Sequence, residues 1–581
     1  MRKDDAQPVD QGGSRFLLRW IFSKGSSSVN EPAAVPHLTI EVEGRPRWAD
    51  IHDPSSGRRL FLFGEVTSLG CECQDRQEQL RRISALAQAL PIEELARRLD
   101  GSFVLAILAD RGQRLTLITD RLGSVPVFSS IRDRTLHLTS SLRMSPGSAI
   151  DPVGCATYLR FGYQFGQRTI FAGVRREPRA AVIEWHQGKR SCRTYWRYAF
   201  GEIRWHDREE GCRYLAECWR EAVAARVPSR GEVAISLSGG MDCRAVLGAL
   251  LDVVENRNRI RAFSYGEPGD PDVETAARLA RLVGIRHERY GFCGDVTLTL
   301  LRNGHLNEGL VDFYTHGLDG LFAQRARLAE DGVLLAGDTF QRGIHGFTDV
   351  DDVLRRGLEL DPEGRVPDYF GLGEWSAEAL SEGIRRDIER LQASFPSHAD
   401  EDELHDYLYL DRRVAHMLMP WRHAHAGRFL PVANPLLDAR ILDFYRRAPR
   451  EWRTGKQLHQ ETLRTHYPEL CQVPFPPSGV NNQRVEQSLR VARRRLQALL
   501  VKDRSSRLDA LIPAVVVEAA LDDLARRAPW QGGWGAWMDK GRRRLWRIKV
   551  GRRLGRRVES LPAPGLRQVG RLLALRWFLG Q

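Results

Sequence analysis

The stretch VAISLSGGMDCRAVLGALL (233–251) decides how this chain is read. Val233–Leu237 is a compact apolar run of strand length, bounded by turn residues. Ala245–Leu251 reads as helix. Between them stands Ser238-Gly239-Gly240-Met241-Asp242-Cys243-Arg244. Paired glycines let a backbone turn sharply and approach a ligand closely. The helix that follows offers free N–H groups and the positive end of a dipole. Together these make a cradle for phosphate. Asp242 inside such a cradle is repulsive unless a divalent cation lies between carboxylate and phosphate. The loop therefore suggests Mg-nucleotide binding through pyrophosphate. A tight strand-to-helix turn capped by Ser238 or Asp242 is the plainer alternative. The loop has neither the Lys-Ser/Thr of a P-loop nor the G-x-G-x-x-G spacing.

At 581 residues the chain is too long for one core, so two or three domains are expected. No apolar run approaches transmembrane length. RFLLRWIF (15–22) is short, broken by Arg19 and without a clear cleavage pattern, so the expectation is a cytoplasmic protein. The nine cysteines are scattered, and Cys71-x-Cys73 has no partner pair at zinc-site spacing. Reduced thiols are expected. The net charge of +13 is uneven: residues 540–581 hold 13 Lys and Arg against one acid, Glu559. Such a tail suits an acidic partner or a membrane surface, or forms a solvated helical face. No nucleic-acid motif accompanies it, so no specific nucleic acid is expected. Only seven of the 87 basic residues are lysines, and Lys456 is the only one between Lys189 and Lys502. A lone Lys in an arginine-writing chain points to a place where a compact ammonium is wanted.

Residues 1–35 are polar and Gly/Ser-rich and read as a mobile N-terminus. Residues 36–200 are strand-like, with one helical stretch from Gln77 to Leu99. FVLAILA (103–109) and RLTLITD (114–120) read as paired strands joined by an Asp-Arg-Gly-Gln turn. Residues 201–475 alternate strands with helical patterns, which argues for a parallel α/β sheet. Its further strands are IRAFSYG (260–266), the end of DPDVETAARLARLVGIRHERY (270–290), and the start of GVLLAGDTFQRGIHG (332–346). Residues 476–581 read as a linker and basic amphipathic helices. His416, His423 and His425 are either a metal cluster or structural and substrate-lining histidines.

The 238–243 loop resembles the S-G-G-x-D-S pyrophosphate loop of ATP pyrophosphatases, with Cys243 at the usual Ser position. The branch it resembles is the asparagine synthetase family, which includes β-lactam synthetases and lasso-peptide cyclases. DGSFVLAILAD…LTLITDRLGSVPVF (100–128) is similar to that family's glutaminase-type domain. Asp411-Arg412, Pro435-Leu436-Leu437-Asp438 and Gly455-Lys456 match its D-R-x-S-M … P-F-L-D … G-K-x-x-L-R stretch. The resemblance runs from about residue 60 to 470.

It implies an N-terminal αββα sandwich like the Ntn hydrolases, then a PP-loop parallel α/β domain like the adenine-nucleotide α-hydrolases, with a helical C-terminal part. It implies ATP and Mg2+ as cofactors. Leu237, Ser238, Gly239, Gly240, Asp242, Cys243 and Gly337 would hold the nucleotide, and Phe263 and Ser264 would line an adenine pocket. Asp242 would bind metal, Asp338 would handle protons on the attacking amine, and Lys456 would be catalytic. Two departures stand out. Gln341 replaces a second metal-binding Asp, and Val432-Ala433-Asn434 replace a Glu/Arg pair. The family's glutaminase uses an N-terminal cysteine, whereas Met1-Arg2 begins this sequence, so glutamine hydrolysis is not expected.

The expected activity is ATP-dependent amide formation between a carboxylate substrate and an amine or ammonia, in a possible homodimer. The alternatives are a nucleotide-binding scaffold, a lactam or lasso-type peptide cyclase, and a tRNA-modifying ATP pyrophosphatase.

Overall fold

The computed structural model describes residues 15–21, 37–43, 48–290, 308–310, 332–476, 496–498, 506–526 and 566–579. Short gaps fall at 55, 70–74, 134, 145–148, 187–188, 267–268, 342, 367–369, 371–373, 395–399 and 429. Cys71, Cys73 and most of the basic tail therefore lie outside the described residues.

The first domain is built from two antiparallel sheets. One contains β1 (Arg15–Ile21), β2 (His37–Glu43), β7 (Phe128–Arg132), β8 (Thr135–Thr139) and β9 (Arg175–Arg176). Its order is β2-β1-β8-β7-β9. The other contains β3 (Trp48–Asp53), β4 (Arg58–Val66), β5 (Gly101–Ala109), β6 (Arg114–Thr119), β10 (Ala181–His186) and β11 (Lys189–Thr194). Its order is β11-β10-β6-β5-β4-β3.

Strand periodicity explains the layering. Phe61 and Phe63 of β4 meet Phe16, Leu18 and Trp20 of β1 in a core between the sheets. The intervening Leu60 and Leu62 face the other way, onto Leu80 and Ile83 of helix α1 (Arg76–Ala89) and Leu95 of α2 (Ile92–Arg98). Phe128 of β7 shares a core with helix α3 (Pro152–Phe161). The result is a helix–sheet–sheet–helix sandwich.

One reading is corrected. Residues 1–35 were expected to be mobile, yet β1 lies inside the first sheet, paired with both β2 and β8. Two ladders and a buried Phe16 and Trp20 hold a segment whose local sequence is too short to announce itself. Segment 1–14 is outside the described residues.

Gly101 opens β5 at φ +138°, where a Cβ would stand 2.2 Å from the Glu65 carbonyl oxygen. Gly101→Ala is expected to destabilise the first domain by about 3 kcal/mol through backbone strain and overlap. A lowered midpoint for the first domain in urea unfolding, followed by hydrogen exchange of its β5 amides, checks this.

The second domain holds a parallel sheet in the order β14-β13-β12-β15-β16. Its strands are β12 (Val233–Ser236), β13 (Ile260–Tyr265), β14 (Arg286–Tyr290), β15 (Val333–Ala336) and β16 (Val432–Ala433). Helices α4 (Arg208–Ala224), α5 (Met241–Val253) and α6 (Pro271–Leu282) join or cover them. The chain runs outward from β12 to β13 on one side and returns to β15 on the other. The carboxyl end of β12 is thus a topological switch point, where such sheets leave a crevice. The Ser238–Asp242 loop lies there.

The domains share buried polar contacts. Arg179 Nε donates to Asp411 Oδ1 at 2.7 Å. Glu308 accepts from the Ser141 hydroxyl at 2.7 Å and the Leu142 amide at 2.6 Å. Arg176 lies 3.1 Å from His416 Nδ1, so this His is a structural acceptor rather than a metal ligand. Burial, with Arg176 and Arg412 adding to it, holds the His416 pKa well below the usual value, against the opposing pull of Asp411. The folded state then binds fewer protons than the unfolded chain below about pH 6.5. Stability is full above that pH and falls as pH drops, by up to about 1.4 kcal/mol per unit for this proton. His416→Gln, which keeps an acceptor, is expected to flatten the acid side of a Tm–pH profile.

The described parts of the C-terminal extension are built into the fold. Leu572, Leu573 and Leu575 of α7 (Leu566–Leu579) are buried. Arg571 donates to the Leu159 and Arg160 carbonyls at the end of α3, and Arg576 pairs with Asp509. This helix is a domain clasp, not a free basic face. No described helix is long and apolar enough to cross a membrane.

Candidate active site

Helix α5 begins at Met241, one residue after Gly240, with no side chain capping its N-terminus. Ser238 turns inward instead: its Oγ accepts from the Gly240 amide at 3.2 Å and contacts Cys243 Sγ at 3.3 Å. Cys243 in turn donates to the Ser236 carbonyl, and burial raises its thiol pKa. A thiol kept neutral is a lining group here, not an anion. Gly337 at the end of β15 lets this loop close, because a Cβ there would meet Cys243 Sγ at 2.8 Å.

The loop carries a sign of its anion affinity. The Gly239 amide donates to Asp272 Oδ1 at 3.1 Å, so a carboxylate oxygen already occupies a position suited to a phosphate oxygen. Asp272 is exposed at the mouth of the loop, and desolvation still raises its pKa. Sequence reasoning missed this residue, which lies on the first turn of α6.

Behind the loop is Arg244, fully buried. It donates to the carbonyls of Gly239, Leu470, Val473 and Pro474 and stacks 4.0 Å from the Phe475 ring. The loop is thereby clamped to the segment that closes the domain.

The structure brings Lys456 onto Asp242. Its Nζ donates to the two carboxylate oxygens at 2.8 and 3.0 Å, across 214 positions of sequence. Lys456 itself has φ +56°, an uncommon conformation for a non-glycine residue. The Gly455 amide donates to the Gly343 carbonyl, which ties this turn to the 337–346 loop. His459, in the first turn of the Gln457–His466 helix, is buried beside the same carboxylate, Nε2 3.4 Å from Asp242 Oδ1. Burial pushes its pKa down to about 4.

 Trp219 covers the other side of the ring, centroids 4.8 Å apart.

Asp338, expected to accept a proton, has both oxygens engaged. Arg422 donates to them at 2.6 and 2.9 Å, and Asn434 Nδ2 donates at 2.6 Å. His423 in turn contacts Asn434 Oδ1 at 3.0 Å, so it belongs to this network and not to a metal cluster. The side chain of His425 lies outside the described residues. The geometry suits Asp338 to aiming Arg422 rather than to receiving a proton. Asn434 is one of the residues standing where a Glu/Arg pair was expected, and it joins Arg422 in balancing Asp338.

Ser264 Oγ donates to the Leu237 carbonyl at 2.6 Å and lies 3.0 Å from His287 Nε2, at the carboxyl end of β13. Phe263 is placed differently from the expectation. Its side chain packs with Ala234, Leu334, Leu430 and Val432 in the sheet core. Strand alternation sends it to the opposite face from Ser264.

Whether the site fits a divalent cation is answered by its donors. Asp242 offers one carboxylate. Gln341 is buried against the buried Tyr445 hydroxyl. These are oxygen donors of the kind Mg2+ accepts, but only Asp242 is charged and Lys456 holds both of its oxygens. Among the described residues no group of three or more His, Cys, Asp or Glu side chains could hold a metal ion.

Between the domains lies an open cleft. It is lined by Arg15, Glu65 and Ser140 from the first domain and by Arg226, His423 and Ala433 from the second. An adjoining cavity reaches Asn434.

Two families match this chain in tandem. The glutamine amidotransferase domain matches residues 85–196, and asparagine synthase matches residues 215–303. The first match falls on the two-sheet sandwich and the second spans the loop, β12, β13 and α6. The two matches together support an asparagine synthetase-family architecture. This pairing supports an amide-forming enzyme.

A curated relative, amidase chyE of Penicillium rubens, is 25% identical over 177 residues. That match covers 30% of this chain, and the chain spans only 26% of the relative. Among solved structures, the U34-tRNA thiolase NcsA from Methanococcus maripaludis is similar at 12% identity and a TM-score of 0.22, over 56% of this chain and 83% of that one. Glutamine phosphoribosylpyrophosphate amidotransferase from B. subtilis is similar at 10% identity and a TM-score of 0.20, over 70% and 94%. Likeness at these scores carries no argument.

Proposed function

We propose that this asparagine synthetase family chain is an ATP-dependent amide-forming ligase that releases AMP and pyrophosphate, with its parallel sheet serving as a PP-loop domain. The observation that carries the reading is the meeting of Lys456 with Asp242 at the mouth of the glycine loop. A lone lysine and a loop aspartate, far apart in sequence, converge where the switch point of the sheet leaves a crevice.

A carboxylate does not react with an amine at neutral pH because its leaving group is oxide. Adenylation replaces oxide with AMP. The backbone amides of the 238–242 loop bind the departing pyrophosphate, with Asp272 yielding the Gly239 amide to it. Lys456 holds negative charge on the phosphates, then on the tetrahedral oxygen when the amine attacks. Asp338 and Asn434 hold Arg422 in one orientation, so a fixed cation borders the acyl site.

The nitrogen in this reading is free ammonia or an amine, not glutamine nitrogen released by the first domain. The carboxylate is a small acid or a peptide carboxyl group; lactam and lasso-type cyclisation are the intramolecular cases.

Release of pyrophosphate and AMP from Mg-ATP tests the proposal. Aspartate is supplied with ammonia and then with glutamine, followed by pools of other carboxylates and amines. The expected result is AMP formation with ammonia or an amine present and none with glutamine alone. Nucleotide binding without AMP from any pool would instead favour a scaffold.

A further inference from the structure

We propose that Asp402 and Asp406, on the helix Glu401–Leu408, are positioning residues that aim Lys456 at the mouth of the glycine loop. Their effect on rate rests on the ligase reading; the placing of the ammonium is measured apart from it.

Lys456 is held in an unfavourable conformation. Its φ is +56°, and Gly455 before it has φ +62°. A β-carbon disfavours this region, so such a turn persists only where its surroundings over-determine it. One constraint is direct. The Gly455 amide donates to the Gly343 carbonyl at 3.1 Å. The two turns are so close that a Cβ on Gly343 would stand 3.0 Å from the Lys456 backbone nitrogen. The lysine turn is therefore only as fixed as the 343–347 loop beside it and the short helix Arg450–Arg453 that leads into it.

One acidic helix face fixes both. Asp402 is 3% exposed, and its Oδ1 accepts from the Gly346 and Phe347 amides at 2.8 and 3.2 Å. Its Oδ2 pairs with Arg450, whose guanidinium also donates to Asp400 at 3.0 Å. One turn further on, Asp406 accepts from Arg453 Nη1 at 3.1 Å. Arg453 is buried as well, its guanidinium 4.1 Å from the Phe200 ring. Residues three or four apart share a helix face, so Asp402 and Asp406 on one helix meet Arg450 and Arg453 on the other in register. A buried pair resists displacement, because moving one charge strands its partner. The two acids thus brace the lysine turn from both sides: through the 346–347 amides on one, and through the arginines just before Lys456 on the other. Their reach to the ammonium is through backbone. That matters to a group whose Nζ must stay within 3.0 Å of both Asp242 oxygens until phosphate arrives, since a misplacement of about 1 Å costs on the order of 10² in rate.

The test uses the full chain. Arg450→Gln removes an exposed cation, and Asp402→Asn keeps an oxygen for the two amides while losing the charge. Thermal melts establish that each variant is folded. Trace acetylation with acetic anhydride, read by mass spectrometry, reports on Lys456 with the other lysines as internal references. Each variant is expected to raise Lys456 acetylation about fivefold, because the ammonium spends less time on Asp242. Each should also lower kcat for pyrophosphate release about tenfold, with KM for Mg-ATP changed less than about threefold. The double variant should match the singles, because both cut the same tie. Arg450→Lys, which keeps a cation, should recover most of both losses. Unchanged Lys456 acetylation in folded variants would overturn the proposal, as would raised acetylation with kcat intact. A wild-type chain that releases no pyrophosphate with any substrate pool fails the ligase reading instead, and acetylation alone then decides whether the acidic face places Lys456.

Discussion

Lys456→Ala lowers the rate of Mg-ATP-dependent pyrophosphate release by about 10²–10³-fold, the usual consequence of removing one preorganised charge from a transition state. The stability cost is small, because Ala and Lys are similarly strained at φ +56°. Lys456→Arg does not restore the rate. Its planar fork is broader than an ammonium, and the native Nζ already sits within 3.0 Å of both Asp242 oxygens. Stopped-flow pyrophosphate detection, beside nucleotide affinity and a thermal melt, separates lost chemistry from lost folding. Wild-type turnover in a folded Lys456→Ala protein would remove Lys456 from the mechanism.

The second large effect is structural. Arg244→Met leaves four carbonyls without their donor, at Gly239, Leu470, Val473 and Pro474. Losing one partner of a buried charged network costs about 3–5 kcal/mol. In a multidomain chain this emerges first as local opening. A loss of about 3 kcal/mol multiplies the open population by roughly 10². Cleavage near 470–476 by a protease therefore rises by a comparable factor under conditions where cleavage follows the open population. Nucleotide affinity falls with it, since the same guanidinium holds the Gly239 carbonyl of the loop. Unchanged cleavage would show that Phe475 and its neighbours are held by packing alone.

How much of the site was legible depended on how local its physics is. The Ser238–Asp242 turn could be read because its glycines, acid and flanking apolar runs act over a few residues. Lys456 could be singled out because a lysine is rare in this chain. Asp338 was legible as a carboxylate in a loop after a strand, but not its engagement by Arg422, which lies 84 positions away. Asp272, Arg244 and His459 gave no local signal. Each looks like an ordinary helical residue until folding places it against the loop.

The same division holds for the fold. The sequence by itself determined the alternating strands of the first domain, the parallel strand–helix order of the second and the glycine turn at β12, because side-chain periodicity and turn chemistry are properties of neighbouring residues. Only the tertiary structure decided that Arg15–Ile21 is an inner strand and that Phe263 belongs to the core. It alone decided that the last helix clasps α3 and that an arginine occupies both oxygens of Asp338. Those outcomes rest on burial and on hydrogen-bond partners supplied from distant parts of the chain, and a buried polar group is paired by whatever the fold brings within reach.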